Sequence, residues 1–201
     1  MVDHAKSLGA SDYRKVAQVH AASINRGFLS SLGERFLALL YEAIDADRNS
    51  ILIVEKSGEN LIGFVAGGRG MKSIYRKLLI SFPRLFIALA PAMLNPMRLK
   101  RIFDLMCFGR RKKPVSGCPE AELFSIAVVD AERGSGLASK LYETLGQRFF
   151  QEGETAFCMV VGETLGPAHR FYQKMGAVSL ARISVHKGQS STLYQQDLPI
   201  S

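Results

Sequence analysis

The feature that most limits the fold is an apolar run, Leu123–Val129, that leads into the tight Arg133-Gly134-Ser135-Gly136 turn. Directly after it, Ala138, Leu141, Tyr142, Leu145 and Phe149 recur at helical spacing. The pattern predicts a buried strand, a sharp turn and an amphipathic helix. Glycines allow the backbone to turn and to approach a ligand with no Cβ in the way. The helix that follows offers unpaired N–H groups and the positive end of its dipole, which suit a pyrophosphate, and Arg133 adds a full charge. No Gly-Lys-Ser/Thr follows, so this is not a P-loop, and the third glycine of the dinucleotide fingerprint is missing.

The remaining elements arrange themselves around this unit. Ser11-Asp12 starts a helix carrying Tyr13, Val16, Ala17 and Val19, and Phe36, Leu37, Leu40, Ala43 and Ile44 mark a second. Ile51–Glu55 and Leu61–Val65, separated by Ser57-Gly58-Glu59-Asn60, read as a hairpin, and a short strand near Asp3–Ser7 is a further candidate. Downstream come a strand at Ala156–Val161, a helix from Pro167 to Lys174 stopped by Gly176, and two strands, Val178–His186 and Ser191–Leu198. The expectation is one α/β domain over residues 1–201, a mixed sheet with helices on its faces.

Charge is distributed unevenly. The net +8 comes from residues 71–113, with eleven Lys/Arg against Asp104; the other 158 residues hold fifteen basic and seventeen acidic side chains. A charge-driven partner is therefore to be sought in that segment. Cys107, Cys118 and Cys158 form no CxxC pair and have no histidine at zinc spacing, so reduced thiols and no metal are expected. The first residues lack an apolar signal core, which predicts a cytoplasmic protein.

Two linked motifs carry a resemblance. Arg133-x-x-Gly136-x-Ala138, and Ala168-x-x-Phe171-Tyr172-x-Lys174-x-Gly176-Ala177, resemble the pyrophosphate turn and the following helix signature of the GCN5-related N-acetyltransferase (GNAT) superfamily. The likeness covers about residues 121–180, and the helix–helix–hairpin order upstream agrees with it. It implies a GNAT-type mixed central sheet flanked by helices, whose fourth and fifth strands splay to admit pantetheine. It also implies an N-acyltransferase that moves an acyl group from acetyl-CoA, or another acyl-CoA, to a primary amine in a ternary complex.

Carried over residue by residue, the resemblance assigns Ile126, Ala127 and Val128 to the pantetheine arm and Arg133, Gly134, Ser135, Gly136, Leu137, Ala138 and Ser139 to the pyrophosphate. Ala168 and Phe171 flank the cofactor, and Tyr172 protonates the departing thiolate. A phenol suits that role because it stays neutral near pH 7 while able to donate. Glu122 stands where several members carry a general base; the competing reading is a solvent-facing charge at a strand end. One position departs from the family pattern: Leu165 replaces the usual asparagine three residues before Ala168. A non-catalytic CoA-binding or membrane-docking module that retains the fold is the rival reading.

Residues of about 70–118 interrupt the family pattern between its third and fourth strands. Pro83, Pro91, Pro96 and Pro114 divide apolar clusters punctuated by Lys and Arg, predicting short helices and no transmembrane span. Three uses compete for this segment: a lid over an anionic acceptor such as a nucleotide-linked aminosugar, contact with an acidic membrane surface, or a solvated or dimer-forming face. No aromatic ladder accompanies the charge, so nucleic acid is not expected. The lesser candidates are His186, Phe28 and Leu29 near the acceptor. Cys158 is read as a buried small hydrophobe, and His20 and His169 as surface helix residues.

Overall fold

A computed structural model describes residues 8–24, 29–80, 82–93, 118–186 and 189–200. The strand sought near Asp3–Ser7, and Phe28, lie outside the described residues.

Helix α1 (Ala10–Ser23) opens at Gly9, whose N–H donates to the Asp12 carboxylate at 3.1 Å. Helix α2 (Glu34–Asp45) buries Phe36, Leu37, Leu40, Tyr41 and Ile44 along one stripe. Each of those apolar side chains contributes about 2 kcal/mol on leaving water, which outweighs the weak propensity of so short a helix. Strands β1 (Ser50–Ser57) and β2 (Asn60–Gly68) form the expected hairpin, closed at Ser57↔Asn60.

Two helices follow, α3 (Lys72–Ile80) and α4 (Phe82–Met93). Pro83 sits in the opening turn of α4, where a missing N–H breaks no helical bond, and Pro91 falls in its last turn. The apolar faces of α3 and α4 join the α1–α2 core through Ile74, Leu78, Leu85 and Leu89. Residues 94–117 of the interrupting segment lie outside the described residues.

The chain then enters β3 (Glu122–Val128), α5 (Leu137–Gln151), β4 (Ala156–Gly162), α6 (Gly166–Lys174), β5 (Val178–His186) and β6 (Gln189–Asp197). The six strands are ordered β1-β2-β3-β4-β6-β5; β3 and β4 run parallel and every other neighbour antiparallel. One core cluster packs α1–α4 against Phe64, Ala66 and Ala127, and a second packs α5 and α6 against Leu123, Phe157, Met159 and Tyr194. Alternation along the strands feeds the two clusters from opposite faces. The mixed α/β sheet flanked by helices is the fold that the resemblance implied.

Candidate active site

The sheet opens at its centre. Strand β3 pairs with β4 at Glu122↔Cys158, where the Cys158 amide also donates to the Ala121 carbonyl at 2.9 Å. Ile126, Ala127 and Val128 keep their β2 partners, Val65, Phe64 and Gly63, but have no β4 residue opposite. The β4-facing backbone edge of β3 is thus left without a strand. Ile126 and Val128 turn towards the α5–α6 core and Ala127 towards α1 and α2. Ser23 donates to the Val128 carbonyl at 3.2 Å, tying the end of α1 to this strand.

Beyond Val128 the chain makes a short 3-10 turn and then the glycine turn. Gly134 and Gly136 have φ of 85° and 89°, a region that costs other residues about 1 kcal/mol or more. A Cβ at either would meet no atom within 4 Å, so the need for glycine is conformational and the space above the turn is open. Ser135 donates to the Glu132 carbonyl at 2.8 Å and accepts the Leu137 N–H at 3.3 Å, which fixes the bend. The first amides of α5, at Leu137, Ala138 and Ser139, belong to the turn of a helix that has no intrahelical acceptors. Arg133 pairs with Asp130 at 2.7 Å, both largely exposed. An ion pair that exposed is worth little, so the guanidinium is readily drawn to a stronger anion. Open glycines, helix amides and Arg133 fit a pyrophosphate.

Helix α6 joins α5 in the core cluster that also takes Ile126 and Val128 of β3. Tyr172 is 6% exposed and packs its ring against Tyr142, Phe171 and Tyr194. Burial raises its phenol above the usual range, so it is protonated throughout the neutral range. Its hydroxyl has no hydrogen bond to a described residue, and it is not fully sealed from solvent. Ala168 and Phe171 pack half-buried against the same core. Leu165 caps α6 through its backbone, accepting from the Ala168 and His169 amides, while its side chain is 40% exposed.

The two histidines expected at the surface are not there. His169 stands between β4 and β6: its Nε2–H donates to the Gly162 carbonyl at 3.1 Å, which leaves Nδ1 to accept from Tyr194 at 2.8 Å. Its position three residues before Tyr172 places it on the inner side of α6, tethering the β4–α6 connection. His20 is 3% exposed and stacks beside Phe64. Its Nδ1 lies 2.5 Å from the Tyr41 hydroxyl, which in turn lies 2.9 Å from Ser125 on β3. Burial lowers the His20 pKa to about 4. The signal for His20 was present: it falls four residues after Val16, on the apolar stripe of α1. Nothing in the sequence marked Ser125 or the distant Tyr194.

Glu122 occupies the closed end of the opening, half-buried, opposite Gly68 of β2. Its charge adds to burial in raising the Tyr75 phenol to about 12, so the carboxylate faces the root of α3 and not bulk water alone. Cys158 is buried in β4 with its Sγ 3.9 Å from the Pro119 carbonyl, as a small core residue. Leu29 is half-buried against the α1–α2 core. Among the described residues no group of His, Cys, Asp or Glu has the makings of a metal site. A concavity of about 430 Å³ beside Glu143, Phe150 and Ile200 involves none of the residues above.

The model of the acetyltransferase (GNAT) family matches residues 21–177. No curated protein matches the chain. Solved structures resemble it over nearly their whole lengths. An N-acetyltransferase from Staphylococcus aureus Mu50 superposes with a TM-score of 0.60 at 12% identity, covering 96% of both chains. The ribosomal-protein-S18-alanine N-acetyltransferase from Escherichia coli gives 0.57 at 12% identity, covering 98% of this chain and 94% of its own. An aminoglycoside 6'-N-acetyltransferase complexed with coenzyme A gives 0.59 at 10% identity, covering 97% and 93%. At such identities the likeness is one of fold.

Proposed function

The chain belongs to the GNAT acetyltransferase family and is an acetyl-CoA-dependent N-acetyltransferase; we propose that it acylates a primary amine by direct transfer within a ternary complex. The observation that carries this reading is the opening of β3 from β4 beside the Gly134–Gly136 turn. Ile126–Val128 offer the pantetheine arm an edge of backbone donors and acceptors, and Arg133–Ser139 hold the pyrophosphate at the start of α5. Ala168 and Phe171 close the underside.

With thioester and amine held together, the neutral amine attacks the carbonyl carbon and the C–S bond breaks. Tyr172 gives its phenolic proton to the departing thiolate and is reprotonated from solvent. The proton lost by the amine passes through water to Glu122, the base that the resemblance assigns; general acid–base steps of this kind contribute about 10²–10⁴-fold in rate. The exposed Leu165 gives the cofactor mouth an apolar patch where relatives carry an amide, which favours acceptance of acyl groups other than acetyl as well. The acceptor we favour is an anionic amine such as a nucleotide-linked aminosugar, drawn by the seven Lys/Arg that the sequence carries between residues 94 and 113.

Calorimetric titration tests the site. Acetyl-CoA is expected to bind at micromolar concentration, and Gly136→Glu to abolish binding. A folded protein that binds neither CoA nor acetyl-CoA would sink the proposal. Turnover of an amine panel that survives unchanged in Tyr172→Phe would remove Tyr172 from the mechanism. Binding without turnover of any amine would favour the rival reading, a CoA-binding module.

A further inference from the structure

Helices α3 and α4 present apolar side chains on both of their faces. Ile74, Leu78, Leu85, Ala88 and Leu89 are buried against α2, as an amphipathic pair requires. The outer face should then be polar. Instead Leu79, Ile80 and Ile87 are 49%, 77% and 61% exposed. Large apolar side chains left exposed opposite a packed face mark a candidate interaction surface.

The charges around this face narrow the choice of cover. Between residues 71 and 93 the chain has four basic side chains and no acidic one. Lys77 and Arg84 are held on the inner side by Asp47 at 3.5 Å and Glu42 at 2.7 Å. Lys72 and Arg76 are exposed and make no ion pair with a described residue. Arg76 precedes Leu79 and Ile80 by three and four residues, so cation and apolar side chains share one stripe.

We propose that the outer face of α3–α4 docks on an anionic lipid surface, inserting Leu79, Ile80 and Ile87 among the acyl chains while Lys72 and Arg76 meet headgroup phosphates. Basic residues flanking an apolar stripe are what an interfacial helix needs, the apolar area and the charge each adding to the affinity. A second copy of the chain is the weaker occupant. A two-fold interface would bring this face against itself and set like charges together. No helix among the described residues is long and apolar enough to cross a membrane.

Vesicle flotation of the full chain tests this. Vesicles of phosphatidylcholine alone are compared with vesicles containing 30% phosphatidylglycerol, and Ile80→Glu/Ile87→Glu and Lys72→Glu/Arg76→Glu variants are run beside the parent. All four substitutions fall at exposed positions, so unchanged thermal unfolding is expected. The expected result is flotation with the anionic vesicles only, weakened at least tenfold in each double variant and weakened by salt. Absence of binding to both vesicle types overturns the proposal, as does equal binding to both. So does flotation unaffected by Ile80→Glu/Ile87→Glu. Parent protein that sediments as a dimer, while that variant is monomeric and lipid binding is absent, assigns the face to a second copy instead.

Discussion

Glu122 and Cys158 are the residues through which β3 and β4 are registered, and the opening of the sheet begins at this pair. The residues assigned to acyl transfer run on from that vertex: Ile126–Val128 along one edge and the glycine turn past its end, with Tyr172 in the core cluster against which Ile126 and Val128 pack.

The turn is sensitive to any side chain at Gly136. With φ at 89° and open space around it, Gly136→Ala should cost about 1 kcal/mol of stability through backbone strain alone. Its tilt of the first α5 amides should weaken acetyl-CoA binding by about tenfold, worth roughly 1.4 kcal/mol. Paired thermal unfolding and calorimetry separate the two effects.

Tyr172→Phe removes a hydroxyl that has no protein partner among the described residues, so the unfolding midpoint should scarcely move. The rate should fall by about 10²-fold or more, with the acetyl-CoA Kd unchanged. Because burial raises the phenol, Tyr172 remains protonated across neutral pH. Any alkaline limb of kcat near neutrality should therefore persist unchanged in position in the residual activity of this variant.

His20 predicts an acid sensitivity. Its folded pKa, near 4, lies below the ordinary histidine value of 6.5, so the unfolded chain binds the proton more tightly. Its contribution to stability is complete above about pH 6.5 and is lost as pH falls towards 4, by roughly 3 kcal/mol at most. Denaturant unfolding from pH 7 to pH 4 should show that slope, and His20→Phe should flatten it.

His169→Ala breaks two hydrogen bonds, to Gly162 and Tyr194, at about 1 kcal/mol each, and leaves the buried Tyr194 hydroxyl without its acceptor. A loss of about 2–3 kcal/mol is expected in chemical denaturation. Tyr194→Phe removes one bond and should cost less. A loss for His169→Ala no larger than that for an exposed helix residue would contradict the assigned tether.

Much of this architecture could be read before any coordinates. The β1–β2 hairpin announced itself by its turn, and the β3–turn–α5 unit by a change of period from a continuous apolar run to helical spacing. Periodicity fixes which residues share a face, but not which face meets the sheet. For that reason His20 passed for a surface residue although it stood in step with Val16. His169 escaped for a different reason: its partner Tyr194 lies 25 residues away, and only the register of β4 with β6 brings the two together. The divergence of β3 from β4 is likewise a relation between strands, carried by no local signal. The resemblance supplied it where spacing could not.

That divergence gives the sheet an edge in its interior. A strand edge ordinarily invites another chain, and proteins blunt it with charge, proline or early termination. Ile126–Val128 carry none of these. The pantetheine arm, with amides of its own, can take the place of the missing ladder, and a ligand bound only by the folded state shifts the folding equilibrium in proportion to its concentration over its Kd. The protein should therefore resist heat and protease far better when charged with CoA than when empty. Its persistence in a cell would then follow the supply of acyl donor, so that the fold itself reports on the abundance of what it consumes.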